Sequence, residues 1–420
     1  MPQILPIRGL RYTAAAGRPE TLLAPPYDVI SEAERQRLAD RSPYNAVRLE
    51  LASGGEERYA MVAGLLQSWL DLGAVQRDEA PMLYVYEQEF DEGGIRFRRR
   101  ALIAGVEAQP WEEGAVKPHE FTMSGPKEDR LKLLSATRTQ LSPVFMIARD
   151  RAGQLRDFIE TTIRSRPADM ETPAPDVHRM WAIEAGRYEM RHIAPLLSES
   201  FYIADGHHRY ETSVTYKQSL VAQEATVPRD HPARFAMTAI VAADDPGLVI
   251  RSIHRLVPRT APANWRELLS PLFEIEDIDT AVTPEAIEAA LASGLRDIIA
   301  AGRDSALTRL RLRTAAGLAE RLPAGRSEAW GAIMPNVVRY GVLEPLWSIS
   351  DDEVRAGAVT YSHDPAEILA RRGDGVGLFI NPVGIGEVMT LADQGERMPQ
   401  KSTFFFPKLA TGLVFHPLYP

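Results

Sequence analysis

Cysteine is missing from the whole chain. That excludes disulfides, thiolate metal sites and cysteine nucleophiles together. It fits a reducing compartment, and a cytoplasmic location is expected. Long apolar runs are missing as well, so no membrane span is expected. The opening "MPQILPIRGLRY" lacks a charged head followed by an apolar stretch, the pattern of a secretory signal. Positive charge is in deficit: the net charge is −9, which argues against broad nucleic-acid binding, because that needs a basic face to displace counterions. Histidine is scarce, with nine in 420 residues, yet two of them stand side by side at 207 and 208.

The rest is the composition of a globular protein, 45% hydrophobic and 25% charged. The length exceeds one ordinary core, and three domains are expected, over residues 1–110, 111–258 and 259–420. "SEAERQRLAD" (31–40) begins with a capping-box pattern, Ser31 with Glu34. "YAMVAGLLQSWLDLG" (59–73) reads as an amphipathic helix stopped by Gly73. "MLYVYEQEF" and "RRALIAGVEAQ" flank the turn "DEGG" (91–94) and predict a hairpin. "IRFRRR" reads as the solvated face of an edge strand. "GQLRDFIETTI" carries Leu155, Phe158, Ile159 and Thr162 at helical spacing. Strands alternate with helices in the middle third but cluster as hairpins elsewhere, so the fold class expected is α+β with mixed sheets.

Chemistry concentrates in three stretches. The first is "IADGHHRYET" (203–212), a strand, a glycine turn and a helix start. A helix N-terminus offers free N–H groups and a partial positive charge, a ready anion site. Arg209 adds a donor fork suited to phosphate, and His207 and His208 add hydrogen bonds. Gly206 permits the tight turn. Asp205 would repel a phosphate unless it holds a metal ion or acts as a base. Adjacent histidines do not have the i, i+4 spacing of helix metal ligands, so an anion site is favoured over a histidine–metal site. The bland alternative is that Asp205 caps the helix and Arg209 pairs with a nearby acid.

The second stretch is "KPHEFTMSGPKEDRLKLL" (117–134), with His119, Glu120, Lys127 and Arg130. Its functional reading is a carboxylate beside cations, able to take a proton from a hydroxyl while the cations neutralise phosphate charge. Its bland reading is a charged loop and helix start. The third is "MPQKSTFFFPKL" (398–409). Phe405 is expected in the core, and Lys401, Ser402 and Thr403 are candidate phosphate contacts, although the glycines of a P-loop are missing. Tyr27, Asp28, Asn45, Arg48 and His254 are smaller candidates for substrate contacts.

Taken together, "PIRGLRY", "APPYDVIS", "NAVRLEL", "KPHEFT", "GPKEDRLKLL", "LSPVF", "FYIADGHHRYET" and "MPQKSTFFFPKLATGLV" resemble the bacterial and archaeal family called domain of unknown function 1015. One departure is local: the family shows proline and threonine before a histidine–arginine pair, and here Ser252 and Ile253 precede His254. More distantly, the core resembles the ParB/sulfiredoxin-like fold and, within it, the archaeal free-serine kinases. The resemblance implies that residues 111–258 form that phosphate-binding core, elaborated by α+β segments on both sides. It implies Glu120 as the base toward a serine hydroxyl; His119 and Asp205 are catalytic candidates beside it. It implies Gly206, His207, His208 and Arg209 as binders of nucleotide phosphate, and Glu120 and Arg209 in one pocket.

The function expected is therefore transfer of a phosphoryl group from a nucleotide or another donor to a small hydroxylated metabolite, with free serine the leading acceptor. Mg²⁺ with ATP or ADP is the expected cofactor, with Asp205 helping to place the ion and Lys127 or Lys401 neutralising charge at the transferred group. The partners expected are a nucleotide and serine or phosphoserine, without nucleic acid or membrane. Two alternatives stand beside it: a ParB-like nucleotide-binding switch or DNA-associated regulator without metabolite chemistry, and a hydrolase releasing serine from phosphoserine. The sulfiredoxin reaction is disfavoured, since its nucleophile is a cysteine.

Overall fold

In the computed structural model, which describes residues 3–121, 124–223, 226–302 and 306–420, Gly93 and Gly94 both adopt positive φ, 56° and 77°. Two such residues in succession suit the tight turn whose twist matches a hairpin. They join β2 (Met82–Glu92) to β3 (Ile95–Glu107), the hairpin expected around "DEGG". This pair lies inside a larger sheet.

The chain divides into two compact units. The first comprises Met1–Pro118, Thr122–Val249 and Pro407–Pro420, and the second comprises His119–Phe121 and Ile250–Phe406. These differ from the three segments expected. No boundary falls near residue 110, because Leu102–Glu107 of β3 pair with β9 (Phe235–Ala242), far down the chain. Periodicity shows that a segment is a strand, not which partner it finds.

The first unit holds a nine-stranded mixed sheet. With β1 (Ile4–Leu5), β4 (Val116–Lys117), β5 (Val144–Ala148), β6 (Met170–Glu171), β7 (Val177–Glu184) and β8 (Phe201–Asp205), the order is β4-β8-β5-β9-β3-β2-β7-β6, and β1 pairs with β3. The register fixes two faces. On one, Leu83, Val85, Leu102, Ala104, Val144, Met146 and Ile240 form a core with Leu155, Phe158 and Ile159 of α4 (Gln154–Ser165). Those helix residues are the ones the spacing predicts, and burying each contributes about 1.5–3 kcal/mol. The other face carries Tyr86, Arg99, Phe145 and Asp205, related through the pairs Tyr86↔Ala101, Gln88↔Arg99 and Asp205↔Phe145. α1 (Glu32–Arg41) starts at Ser31, whose hydroxyl accepts from Glu34 N at 3.3 Å, half of the expected capping box. α2 (Arg58–Asp71) ends before Gly73, at φ 70°. α3 (Ser124–Thr137) packs on α5 (His207–Gln223).

The second unit is built on a six-stranded antiparallel sheet of β10 (His254–Val257), β11 (Phe273–Ile278), β12 (Asp297–Ala301), β13 (Leu307–Leu312), β14 (Thr360–Ser362) and β15 (Val376–Ile380), in the order β11-β13-β12-β15-β10-β14. Val257, Phe273, Ile298, Leu310, Val338 and Leu378 form part of its core. The mixed and antiparallel sheets make the fold α+β, as expected. Among the described residues, no helix is long and apolar enough to cross a membrane.

Candidate functional site

The glycine turn expected between strand and helix is present in the first unit. β8 ends at Asp205, Gly206 takes φ 89°, and α5 begins at His207. A Cβ on Gly206 would meet Arg209 Nε at 2.9 Å and Cζ at 3.0 Å. Glycine is required there twice over, for the left-handed backbone and for the close approach of the arginine.

Arg209 folds back beneath its own turn. Nη2 donates to Asp205 Oδ2 at 2.6 Å, and Nη1 donates to the Pro143 carbonyl at 2.5 Å. Its buried Nε has no hydrogen-bond partner among the described residues. The expected bidentate fork toward phosphate is thus committed to the protein, and Arg209 acts as a fixed charge under the turn. An anion at this turn would lie against the N-terminal end of α5, where the helix carries a partial positive charge and His207 and His208 are half-buried.

Asp205 is the other surprise. Its Oδ2 accepts from Arg209 and its Oδ1 from Lys408 Nζ. Burial raises the carboxyl pKa, but Lys408 and Arg209 outweigh burial and hold it down at about 2. The Asp205 carboxylate is thus held between two cations, which offsets the repulsion expected between it and a phosphate. The expected role of Asp205 as an Mg²⁺ ligand does not fit: both oxygens face cations, and among the described residues no three His, Asp or Glu side chains converge to hold a metal ion.

Residues from two other predicted stretches gather beside this turn. The Arg130 guanidinium lies 4.3 Å from the centre of the Tyr27 ring, and its Nη1 donates to the Glu50 carbonyl at 2.9 Å. Burial pushes the Tyr27 hydroxyl up to about 12, against the pull of Arg209 and Arg130. Asp28 is exposed, and its charge is felt by Arg209. Glu50, buried, accepts from Ser142 Oγ at 3.1 Å. Arg130, Arg209, Glu50, Ser142, Thr212 and Ser213 line a small cavity of about 50 Å³. Lys127 Nζ meets Glu211 Oε2 at 2.6 Å, one turn along α5.

Two predicted contacts drop out. Asn45 has no exposed surface: its amide donates to the carbonyls of Thr21 and Leu23, and its oxygen accepts from Val47 N. Arg48 donates to the carbonyls of Ser42 and Ala39, which closes the end of α1. Both side chains satisfy backbone groups that would otherwise be buried unpaired.

The "KPHE" and "MPQKST" stretches meet each other in the second unit. Glu120 bridges Met398, and Met398 N donates to the His119 carbonyl at 2.8 Å. Glu120 Oε1 accepts from Ser402 N at 3.3 Å and lies 3.5 Å from Thr403 Oγ1. His119, buried, places Nε2 2.8 Å from Thr403 Oγ1 and 3.9 Å from Glu120 Oε1. Lys401, exposed, is at φ 58°, a left-handed backbone rare for a side-chain-bearing residue. Ser402 Oγ donates to the Pro399 carbonyl at 2.6 Å. Phe405 is core at 1% exposure, edge-on to His119. His254 is also core: it is buried against Phe379, accepts from Ile380 N at 3.4 Å, and burial lowers its pKa to about 3.

The family model described as protein of unknown function (DUF1015) matches residues 4–317. The chain belongs to this family. In the DUF1015 chain the match takes in all of "KPHE" and "IADGHHRYET" and stops short of "MPQKST". No curated protein matches it. Among solved structures, a mutant free serine kinase in complex with ADP is 14% identical, with a TM-score of 0.34 over 72% of this chain and 86% of that one. A conserved hypothetical protein from Pyrococcus furiosus is 15% identical, with a TM-score of 0.31 over 73% and 93%. SbnI from Staphylococcus aureus, with a C-terminal truncation, is 11% identical, with a TM-score of 0.34 over 75% and 87%. Likenesses at this level leave the function to be argued from the chain's own residues.

Sequence reasoning missed Arg99, Glu50 and the part played by Lys408. Arg99 carried a signal: in "IRFRRR" it is out of phase with Arg96, Arg98 and Arg100 on an alternating strand. Arg96 pairs with Glu89 and Asp91, Arg98 with Glu89 and Arg100 with Glu87, whereas Arg99 is buried at 1% exposure on the other side of the strand.

Proposed function

We propose that the protein is a phosphotransferase that holds the phosphates of ATP or ADP at the turn before α5 and passes a phosphoryl group to a small hydroxylated metabolite, with free serine the acceptor to test first. The observation that carries the reading is the turn itself. Gly206 at φ 89° lets the chain turn directly into α5, and Arg209 and Lys408 neutralise Asp205 at the N-terminal end of that helix. Such a site attracts a multiply charged anion without a basic surface around it.

In the reaction the acceptor oxygen forms a bond to the terminal phosphorus of the nucleotide. The bond from that phosphorus to the bridging oxygen breaks, and the nucleotide leaves one phosphate shorter. The hydroxyl proton goes to Glu120, an assignment supported by the resemblance to the free-serine kinases and by the partly exposed carboxylate. Ser402 N and Thr403 steady one of its oxygens. His119, enclosed beside Thr403, orients that hydroxyl. No step is assigned to a metal ion held by Asp205.

The test is incubation with serine and ATP or ADP labelled in the terminal phosphate, with and without Mg²⁺, followed by chromatography for phosphoserine. Labelled phosphoserine supports the reading. Nucleotide binding without any phosphorylated acceptor, unchanged by Glu120→Gln, defeats it and favours a nucleotide-binding switch.

A further inference from the structure

Alternation along β3 sends Arg99 to the opposite side of the sheet from Arg96, Arg98 and Arg100. There it faces Gln88, its register partner on β2, and its guanidinium lies 4.8 Å from the centre of the Phe145 ring. Phe145 is in turn the register partner of Asp205. Arg99 therefore reaches, through the sheet, the neighbourhood of the turn before α5.

Its hydrogen bonds point to a task there. Nη2 donates to Gln88 Oε1 at 2.5 Å and to the Pro407 carbonyl at 2.6 Å. Gln88 Nε2 donates to the Lys408 carbonyl at 3.4 Å. Two side chains of the hairpin thus grip two consecutive carbonyls, and the second belongs to the residue whose ammonium meets Asp205. Lys408 lies 203 positions from Asp205, so chain locality does not hold it there. A guanidinium fork suits this grip, because it directs several donors from one rigid plane. Burying such a cation is costly, and burial lowers its pKa to about 10, eased by Tyr86, Asp245 and Asp205.

We infer that Arg99 is a positioning residue: with Gln88 it clamps the Pro407–Lys408 backbone so that the Lys408 ammonium meets Asp205 and offsets its charge at the turn. The functional consequence rests on the reading of that turn as a phosphate site, but the clamp itself is measurable without any ligand.

The experiment is acetylation of the folded, full-length chain, read lysine by lysine with peptide mass spectrometry, in wild type, Arg99→Met, Gln88→Met and Arg99→Lys. Release of the clamp exposes Lys408, and its rate rises about tenfold in Arg99→Met, the effect of losing a hydrogen bond to a charged group. The rise is smaller in Gln88→Met, and Arg99→Lys restores part of the protection. Lys217, held by the Ala108 carbonyl at 2.7 Å, is the internal control and stays constant. ATP affinity falls in step with Lys408 exposure. An unchanged Lys408 rate in a folded variant overturns the inference, as does a rise in which Lys217 follows Lys408, the mark of general loosening. Should Arg99→Met fail to fold, Gln88→Met decides alone. If Lys408 responds as stated while wild type binds no nucleotide, the clamp stands and the phosphate reading falls.

Discussion

Arg209 Nη2 donates to Asp205 Oδ2 at 2.6 Å across the turn that separates them. The arginine that looks, in "DGHHR", like a free phosphate ligand is the support on which the turn rests. What it offers an anion is charge from below, beside the positive end of the helix dipole. Consequences follow for substitutions at the turn.

Gly206→Ala should be damaging beyond its size. The new methyl demands φ 89° of a residue that avoids it and presses on Arg209 at about 3 Å. The expected loss is about 1–3 kcal/mol in denaturant unfolding, together with loss of nucleotide binding by calorimetry. An alanine variant that binds as tightly as wild type would show that the turn plays no part.

Asp205→Asn removes the charge that both Arg209 and Lys408 face. The folded pKa of Asp205 is depressed to about 2 from an ordinary 3.8. Its stabilising contribution is therefore complete above the unfolded value and is lost as pH falls through about 4 toward about 2. At pH 7 the variant should be less stable by on the order of 2 kcal/mol, and the difference should vanish in acid. Unfolding curves of both proteins at several pH values check the sign.

Glu120→Gln keeps an oxygen to accept from Ser402 N, so the fold should survive. Phosphoryl transfer should drop by about 10²–10⁴, the usual contribution of a general base, with nucleotide affinity unchanged. Equal loss of both would mean that Glu120 serves binding or structure instead.

Three histidines with depressed pKa values predict sensitivity to mild acid. Burial lowers His178 and His416 to about 4 and His254 to about 3. Each stays neutral when folded but protonates near its ordinary value of 6.5 when unfolded. Stability is therefore lost as pH falls below about 6.5, by roughly 1.4 kcal/mol per histidine per pH unit. Denaturant midpoints at pH 7 and pH 5 measure this. His254→Gln, whose amide oxygen can still accept from Ile380 N, should flatten the dependence while leaving nucleotide binding intact.

Some elements were legible in the primary structure because their information is local. The hairpin at Gly93–Gly94, the start of α1 at Ser31 and the buried stripe of α4 each depend on residues within a few positions of one another. The same holds for the strand, glycine and helix start at 201–209. Asn45 and Arg48 bond backbone carbonyls, and a polar residue serving such carbonyls looks the same in sequence as one serving a ligand.

The amino-acid sequence by itself determined the α+β class, the glycine turn and the chemical inventory available to it, a thiol-free set of acids, histidines and basic groups. Only the tertiary structure decided their partners: Lys408 on Asp205 across 203 positions, Ser402 N on Glu120 across 282, and Arg99 inside the sheet rather than on its surface. Periodicity tells which side of its own strand or helix a residue faces. It does not tell which distant segment lies opposite, and that pairing sets whether a charge is free, paired or buried.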